Sequence, residues 1–244
     1  MVFMTNWEVK LKGDNSFLME LAKEYNGPGL SITSHDEGWF LKSKDFNQLV
    51  DRADLFEKAG NIIEFINASA RIFSNKMEPV ESDGFWIIEE SGQRKEEFFA
   101  VGKASFQIMN VLFSSGVAPK EWYQLWESNP EIKYIFRFFQ GNSLLDWFSL
   151  FKIYETIRDD EQLSEKSDEG IKKIRSWTSF EENQIFFKTA NWYRHTFFGK
   201  SKEKPNKKPL NEMSLADGNN YMRKLTIEWI SWKVEDNKAS SEGS

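Results

Sequence analysis

The chain has 244 residues, 40% of them apolar and 16% aromatic, and its 32 Lys and Arg against 38 Asp and Glu leave a formal charge of −6. It has no cysteine and only two histidines, His35 and His195. This excludes disulfides, thiol nucleophiles, cysteine-ligated zinc, iron–sulfur clusters and any site built from several histidines, so no metal or cofactor is expected.

Residues 1–12 alternate apolar and polar without the basic and apolar regions of a signal or transit peptide, and no apolar run approaches the roughly 18 residues of a membrane span. A cytoplasmic protein without membrane contact is the resulting expectation. Trp7, Val9 and Leu11 against Glu8, Lys10 and Lys12 give a strand of period 2 that ends at Gly13-Asp14-Asn15. Phe17, Leu18, Leu21 and Ala22 then predict a short helix before Asn26-Gly27-Pro28-Gly29. Strands at 30–34 and 38–42 flank a turn at His35-Asp36-Glu37-Gly38. An apolar stripe from Phe46 to Phe73 predicts one long helix. Residues 79–90 and 95–113 read as a two-stranded unit around Ser91-Gly92-Gln93. Strand, helix, two strands, helix, two strands is the order of an α+β domain, an antiparallel sheet with helices on one face.

After the break at 114–119 the strand patterns stop. Helices are expected at 120–127, 130–140, 143–160, 170–198 and 214–234, giving an all-α helical bundle. The domains are therefore placed at 1–117 and 118–235, with a frayed polar tail at 236–244.

Three segments carry polar groups in patterns that bear on function. Projected at 100° per residue from Trp147, Arg158 falls at about 20°, within the apolar face, while Asp159 and Asp160 fall on the solvent side. A guanidinium on an apolar face needs a carboxylate, a carbonyl or a ligand. On a continuous helix, Phe187, Asn191 and Arg194 share one stripe and His195 lies one turn beyond Asn191. Asn, Arg and His on one face suit a phosphate or carboxylate, with Arg giving bidentate contacts and His able to move a proton. The same residues also suit helices tied together inside a bundle. Third, Lys200, Lys202, Lys204, Lys207 and Lys208 lie in a proline-stiffened segment beside Trp192 and Tyr193. From 188 to 210 six lysines and one arginine face one glutamate, a local +6 that leaves −12 for the remainder. Lysines with aromatics are the composition that binds single-stranded nucleic acid, and the same segment also reads as a solvated loop. Ser214-Leu-Ala-Asp217 predicts a capping box, with a helix beginning at Leu215 and Gly218 on its apolar face, where another helix can approach closely. No GxGxxG, P-loop, HExxH or GxSxG pattern occurs.

The motifs Asn6-Trp-Glu-Val-Lys-Leu-Lys-Gly-Asp14, Ile157-Arg-Asp-Asp160, Thr189-Ala-Asn191, Arg194-His195 and Met213-Ser-Leu215 together resemble an uncharacterised bacterial two-domain protein family. The resemblance implies an architecture and not a reaction. A looser similarity is to HEPN-type helical domains, many of them RNases, whose pattern is an Arg four to six residues before a His. Here Arg194 adjoins His195 directly.

Three functions follow as expectations. The first is a non-catalytic binding module that takes an anionic ligand, foremost single-stranded nucleic acid, through Arg158, Asn191, Arg194, His195 and the lysine segment. The second is a metal-independent HEPN-like RNase with His195 as acid or base and Arg194 stabilising charge. The third is a protein-interaction or structural subunit in which the arginines hold the bundle together. Oligomeric state is left open.

Overall fold

The computed structural model describes residues 6–49, 51–73, 79–88, 94–97, 118–141, 144–160, 167–197 and 208–242. The fold class is α+β, with an N-terminal antiparallel sheet followed by helices. The chain divides into two compact units, 1–123 and 124–244. The boundary expected near 117, the turn at 91–93 and the strand residues 98–113 lie outside the described residues.

In the first unit, β1 (Asn6–Lys12) is the central strand of a five-stranded sheet of order β2-β3-β1-β4-β5, all pairs antiparallel, with β2 at Leu30–His35, β3 at Gly38–Ser43, β4 at Glu81–Ile88 and β5 at Arg94–Glu97. The period-2 reading of β1 holds: Trp7, Val9 and Leu11 are buried. Pairing sets Val9 beside Leu41 and Phe85. The β2–β3 hairpin turns through Asp36-Glu37 into Gly38, whose φ of +129° favours glycine. Gly84, at φ +142°, sits where the β1–β4 register shifts between Lys10 and Leu11, a bulge for which glycine is suited.

Helices α1 (Asn15–Glu24) and α2 (Arg52–Phe73) cover the Trp7-Val9-Leu11 face. Trp39 Nε1 donates to Asn15 Oδ1 at 3.2 Å, and Phe56 stacks on Phe85 at 5.1 Å between centroids. Phe17, Leu18 and Leu21 of α1 and Leu55, Ile62, Phe65 and Ile66 of α2 fill the core. Asn67 clamps Val80, donating to its carbonyl at 2.9 Å and accepting from its N–H at 2.7 Å. The single helix expected over 46–73 is two pieces, a 3-10 helix at Lys44–Gln48 and then α2. Ser43 Oγ caps the first by accepting from Asp45 N, and Asp51 Oδ1 opens the second by accepting from Ala53 N at 2.8 Å. An apolar stripe passes through such a break unmarked because Phe46 on one piece and Leu55, Ala59 and Ile62 on the other are all buried.

The remaining helices are α3 (Lys120–Ser128), α4 (Pro130–Gly141), α5 (Trp147–Arg158), α6 (Ser167–Trp177), α7 (Phe180–Phe197) and α8 (Leu215–Glu242). The dividing line between units falls inside α3. In the second unit α5 meets each of α4, α6, α7 and α8, and its Leu150, Phe151, Ile153, Tyr154 and Ile157 are buried. The one helix expected over 170–198 is α6 and α7. Ser179 separates them: its Oγ accepts from Glu182 N at 3.1 Å, while Glu182 Oε2 accepts from Ser179 N and Oγ at 3.2 and 3.0 Å. This Ser-x-x-Glu capping box is legible in Ser179-Phe-Glu-Glu182 and was masked by the apolar periodicity running across it. The capping box at Ser214 forms as expected, with Ser214 Oγ 2.6 Å from Asp217 Oδ2, and α8 continues past Val234 into the polar tail.

Candidate functional site

The residues singled out in the helical unit lie on two helices that pack together, α5 and α7. Arg194, in the last turn of α7, reaches α5: its Nη1 donates to Glu155 Oε1 at 3.1 Å. Its Nη2 donates to Asn191 Oδ1 at 3.1 Å and lies 3.3 Å from His195 Nε2. A guanidinium only donates, so His195 Nε2 accepts here and its lone pair is engaged. The Arg194 Cζ sits 4.2 Å above the Phe151 ring, a cation–π contact, and its Nε–H is buried without an acceptor among the described residues. Asn191, Arg194 and His195 therefore converge as the stripe predicts, around a carboxylate supplied by the chain.

Arg158 is elsewhere in its bonding. At the end of α5 it turns to its neighbour, with Nε 2.6 Å from Asp159 Oδ1 and Nη2 2.7 Å from Oδ2, a bidentate pair that pushes the guanidinium pKa up. Its side chain is 26% exposed, so it leaves the apolar face toward water. Lys152 pairs with Glu155 Oε2 at 2.8 Å, which places Glu155 between two cations. Lys208 is exposed, pairs with Glu212 Oε1 at 2.8 Å and stands 5.8 Å from the Trp192 ring. Lys200, Lys202, Lys204 and Lys207 lie outside the described residues.

Beside this cluster the surface is aromatic. Phe187 lies 5.8 Å from Phe151 and Phe148 lies under Lys152 at 5.9 Å, and the two rings are 38% and 39% exposed. Trp147 and Tyr193 stack at 5.5 Å with their planes 6° apart.

A deeply buried charge among the described residues of this unit has no counterpart in the helical projection. Asp160, which helical projection turns to solvent, is 1% exposed. Its Oδ2 accepts from Trp229 Nε1 at 2.6 Å and pairs with Lys233 Nζ at 2.7 Å, and Lys233, itself 2% exposed, has Glu131 Oε2 at 3.7 Å. Helix α5 ends at Arg158 with Asp159 as its cap, so Asp160 is already off the helical period that was used to place it. A Lys four residues after a Trp on the face of α8, with a spare Asp at a neighbouring helix end, is the only signal available. Other buried polar groups knit the same unit. Asn219 Oδ1 accepts from Leu145 N and its Nδ2 donates to Leu145 O, while Tyr221 OH donates to Asn183 Oδ1 at 3.1 Å.

Chemically the α5–α7 cluster is an ion-pair network in which the Arg194 Nε–H has no acceptor among the described residues. A general base needs a free lone pair aimed at a substrate proton, and a phosphate needs open guanidinium donors. Here His195 Nε2 lies against Arg194 Nη2, and Arg194 engages Glu155 and Asn191 through its Nη groups while its Nε–H has no acceptor among the described residues. Among the described residues no three His, Asp or Glu side chains come together to hold a metal ion, and no helix is long and apolar enough to cross a membrane. No known protein family, no curated protein and no solved structure matches the chain.

Proposed function

We propose that the chain is a non-catalytic interaction subunit whose α5–α7 edge contacts a protein partner. The observation that carries this reading is the pairing of both arginines within the chain: Arg194 with Glu155 and Asn191, Arg158 with Asp159. An incoming phosphate would compete with a carboxylate at each. The exposed Phe148 on α5 and Phe187 on α7, with Arg194 on the same helix as Phe187, are the aromatic and arginine composition that is enriched at protein interfaces.

The test places a photo-crosslinking amino acid at 148 or 187 of the full chain in its own cell. A discrete protein adduct is the expected outcome, and its absence at both positions overturns the reading. In parallel, single-stranded RNA is offered at low salt with chelator present. Retardation lost in Arg194→Ala would move the assignment to an anion site, and cleavage lost in His195→Ala would move it to an RNase.

A second reading, nucleic-acid contact through the lysine segment, has one observation in its favour: exposed Lys208 stands 5.8 Å from the Trp192 ring, the pairing of cation and aromatic that nucleic-acid contacts use. It predicts a salt-weakened RNA shift that survives Arg194→Ala and disappears when Lys200, Lys202, Lys204, Lys207 and Lys208 are changed together to Gln.

A further inference from the structure

A separate cavity of about 240 Å³ lies in the first unit. Strand register explains its lining. Trp7, Val9 and Leu11 point to the helices, so their alternates Asn6 and Glu8 point to the opposite face, where β2 and β3 contribute the directly paired Ser31 and Lys42. Lys44 and Asn47, from the 3-10 helix that follows β3, and Gly27 and Pro28 before β2 also line it.

The chemistry of that wall is specific. Glu8 is 1% exposed, a carboxylate in the middle of a sheet, and Lys42 Nζ stands 2.6 Å from its Oε1. A buried carboxylate that already holds an ammonium is a device for fixing that ammonium in place, because the flexible four-carbon stem of lysine otherwise spreads its charge over many rotamers. Lys44 adds a second ammonium at an exposed position. Among the lining residues two lysines stand against one glutamate, a formal excess of one positive charge, and Asn6, Asn47 and Ser31 add polar residues to the wall. The volume lies below the roughly 300–1,000 Å³ of drug-sized sites, which limits the occupant to a small molecule.

We propose that this cavity binds a small, singly charged anion, a compound bearing a carboxylate or phosphoryl group, with Lys42 and Lys44 as its anchors and Glu8 positioning Lys42. The site is independent of the α5–α7 edge and stands or falls without it.

The experiment titrates the full-length, nitrogen-15-labelled protein with acetate, inorganic phosphate and methylammonium at constant ionic strength, following backbone amides. Saturable shifts confined to Ser31, Lys42, Lys44 and their neighbours are expected with acetate or phosphate, and whichever saturates first assigns carboxylate or phosphoryl. Lys44→Ala, an exposed change that leaves the sheet intact, is expected to weaken that binding about tenfold, the worth of one charged hydrogen bond. Shifts that do not saturate, that spread over the surface, or that Lys44→Ala leaves unchanged overturn the proposal. Methylammonium saturating at the same amides would also overturn it, since Glu8 and not the lysines would then be the anchor.

Discussion

Asp160 and Lys233 form the pair on which the second unit depends most sharply, because each is buried and each is the other's counter-charge. Removing one partner takes from the other a counter-charge at 2.7 Å in a medium that solvates it poorly. Asp160→Asn or Lys233→Met alone is expected to cost about 3–5 kcal/mol, whereas Asp160→Asn with Lys233→Met, which keeps an acceptor for Trp229 Nε1, should lose less than the sum of the two. Urea unfolding followed by tryptophan fluorescence measures this, and additive losses in the double variant would refute it. Arg194 carries less. Its side chain is 27% exposed, so Arg194→Ala should lose about 1–2 kcal/mol through the freed Glu155 and Asn191. A double-mutant cycle with Glu155→Gln should show that the two losses are not additive.

At Gly218 of α8 the fold needs the absence of a side chain. A Cβ there would lie 2.7 Å from Trp147 Cη2 and 3.3 Å from Leu150 Cδ1, so α8 approaches α5 closely at this point. Alanine would gain about 1 kcal/mol of helix propensity elsewhere, but here overpacking of about 1–3 kcal/mol opposes it. Gly218→Ala is therefore expected to lower the melting temperature, and a rise would show that Trp147 can move off its Tyr193 stack at no cost. The position was legible because a glycine sat on an otherwise apolar stripe, and so was the start of α8, because Ser214 and Asp217 have capping spacing. The α6–α7 break was legible in the same terms at Ser179 and Glu182. It was overlooked because hydrophobic periodicity reports which side faces the core and is silent on whether the backbone hydrogen bonds run on without interruption.

Acid should loosen both units through their caps. Asp14, whose carboxylate accepts from Ser16 Oγ and Phe17 N at the start of α1, titrates below its usual range for that reason. Glu182 does likewise, through the backbone N–H and then the hydroxyl of Ser179. A carboxylate with a depressed folded pKa contributes stability that is present above its unfolded value, near 4, and is lost as pH falls through the lower folded value. Stability should therefore be flat near neutrality and decline below about pH 4. Glu182→Gln should lower stability at neutral pH and make the decline shallower, as read from thermal melts by circular dichroism. A decline of unchanged steepness would mean that other carboxylates dominate. The −6 charge of the chain gains positive sign in the same range, so salt should soften the acid limb by screening.

Hydrophobic period, capping spacing and turn residues are local properties of the chain, and they were enough to identify the α+β unit, the helical unit, the central strand, the hairpin at Gly38 and the close approach at Gly218. The convergence of Asn191, Arg194 and His195 was equally local, since i, i+3 and i+4 on one helix suffice. The identity of their partner was not. Glu155 meets Arg194 because two helices pack, Lys233 meets Asp160 because α8 returns past the end of α5, and Glu8 meets Lys42 because two strands pair in one register. Each of these joins residues far apart in sequence, and no periodicity encodes which charge a folded chain will bring to which. What paired Arg194 of that stripe with Glu155 was therefore the packing of α7 on α5, a fact of chain geometry that arises only when the helices are assembled.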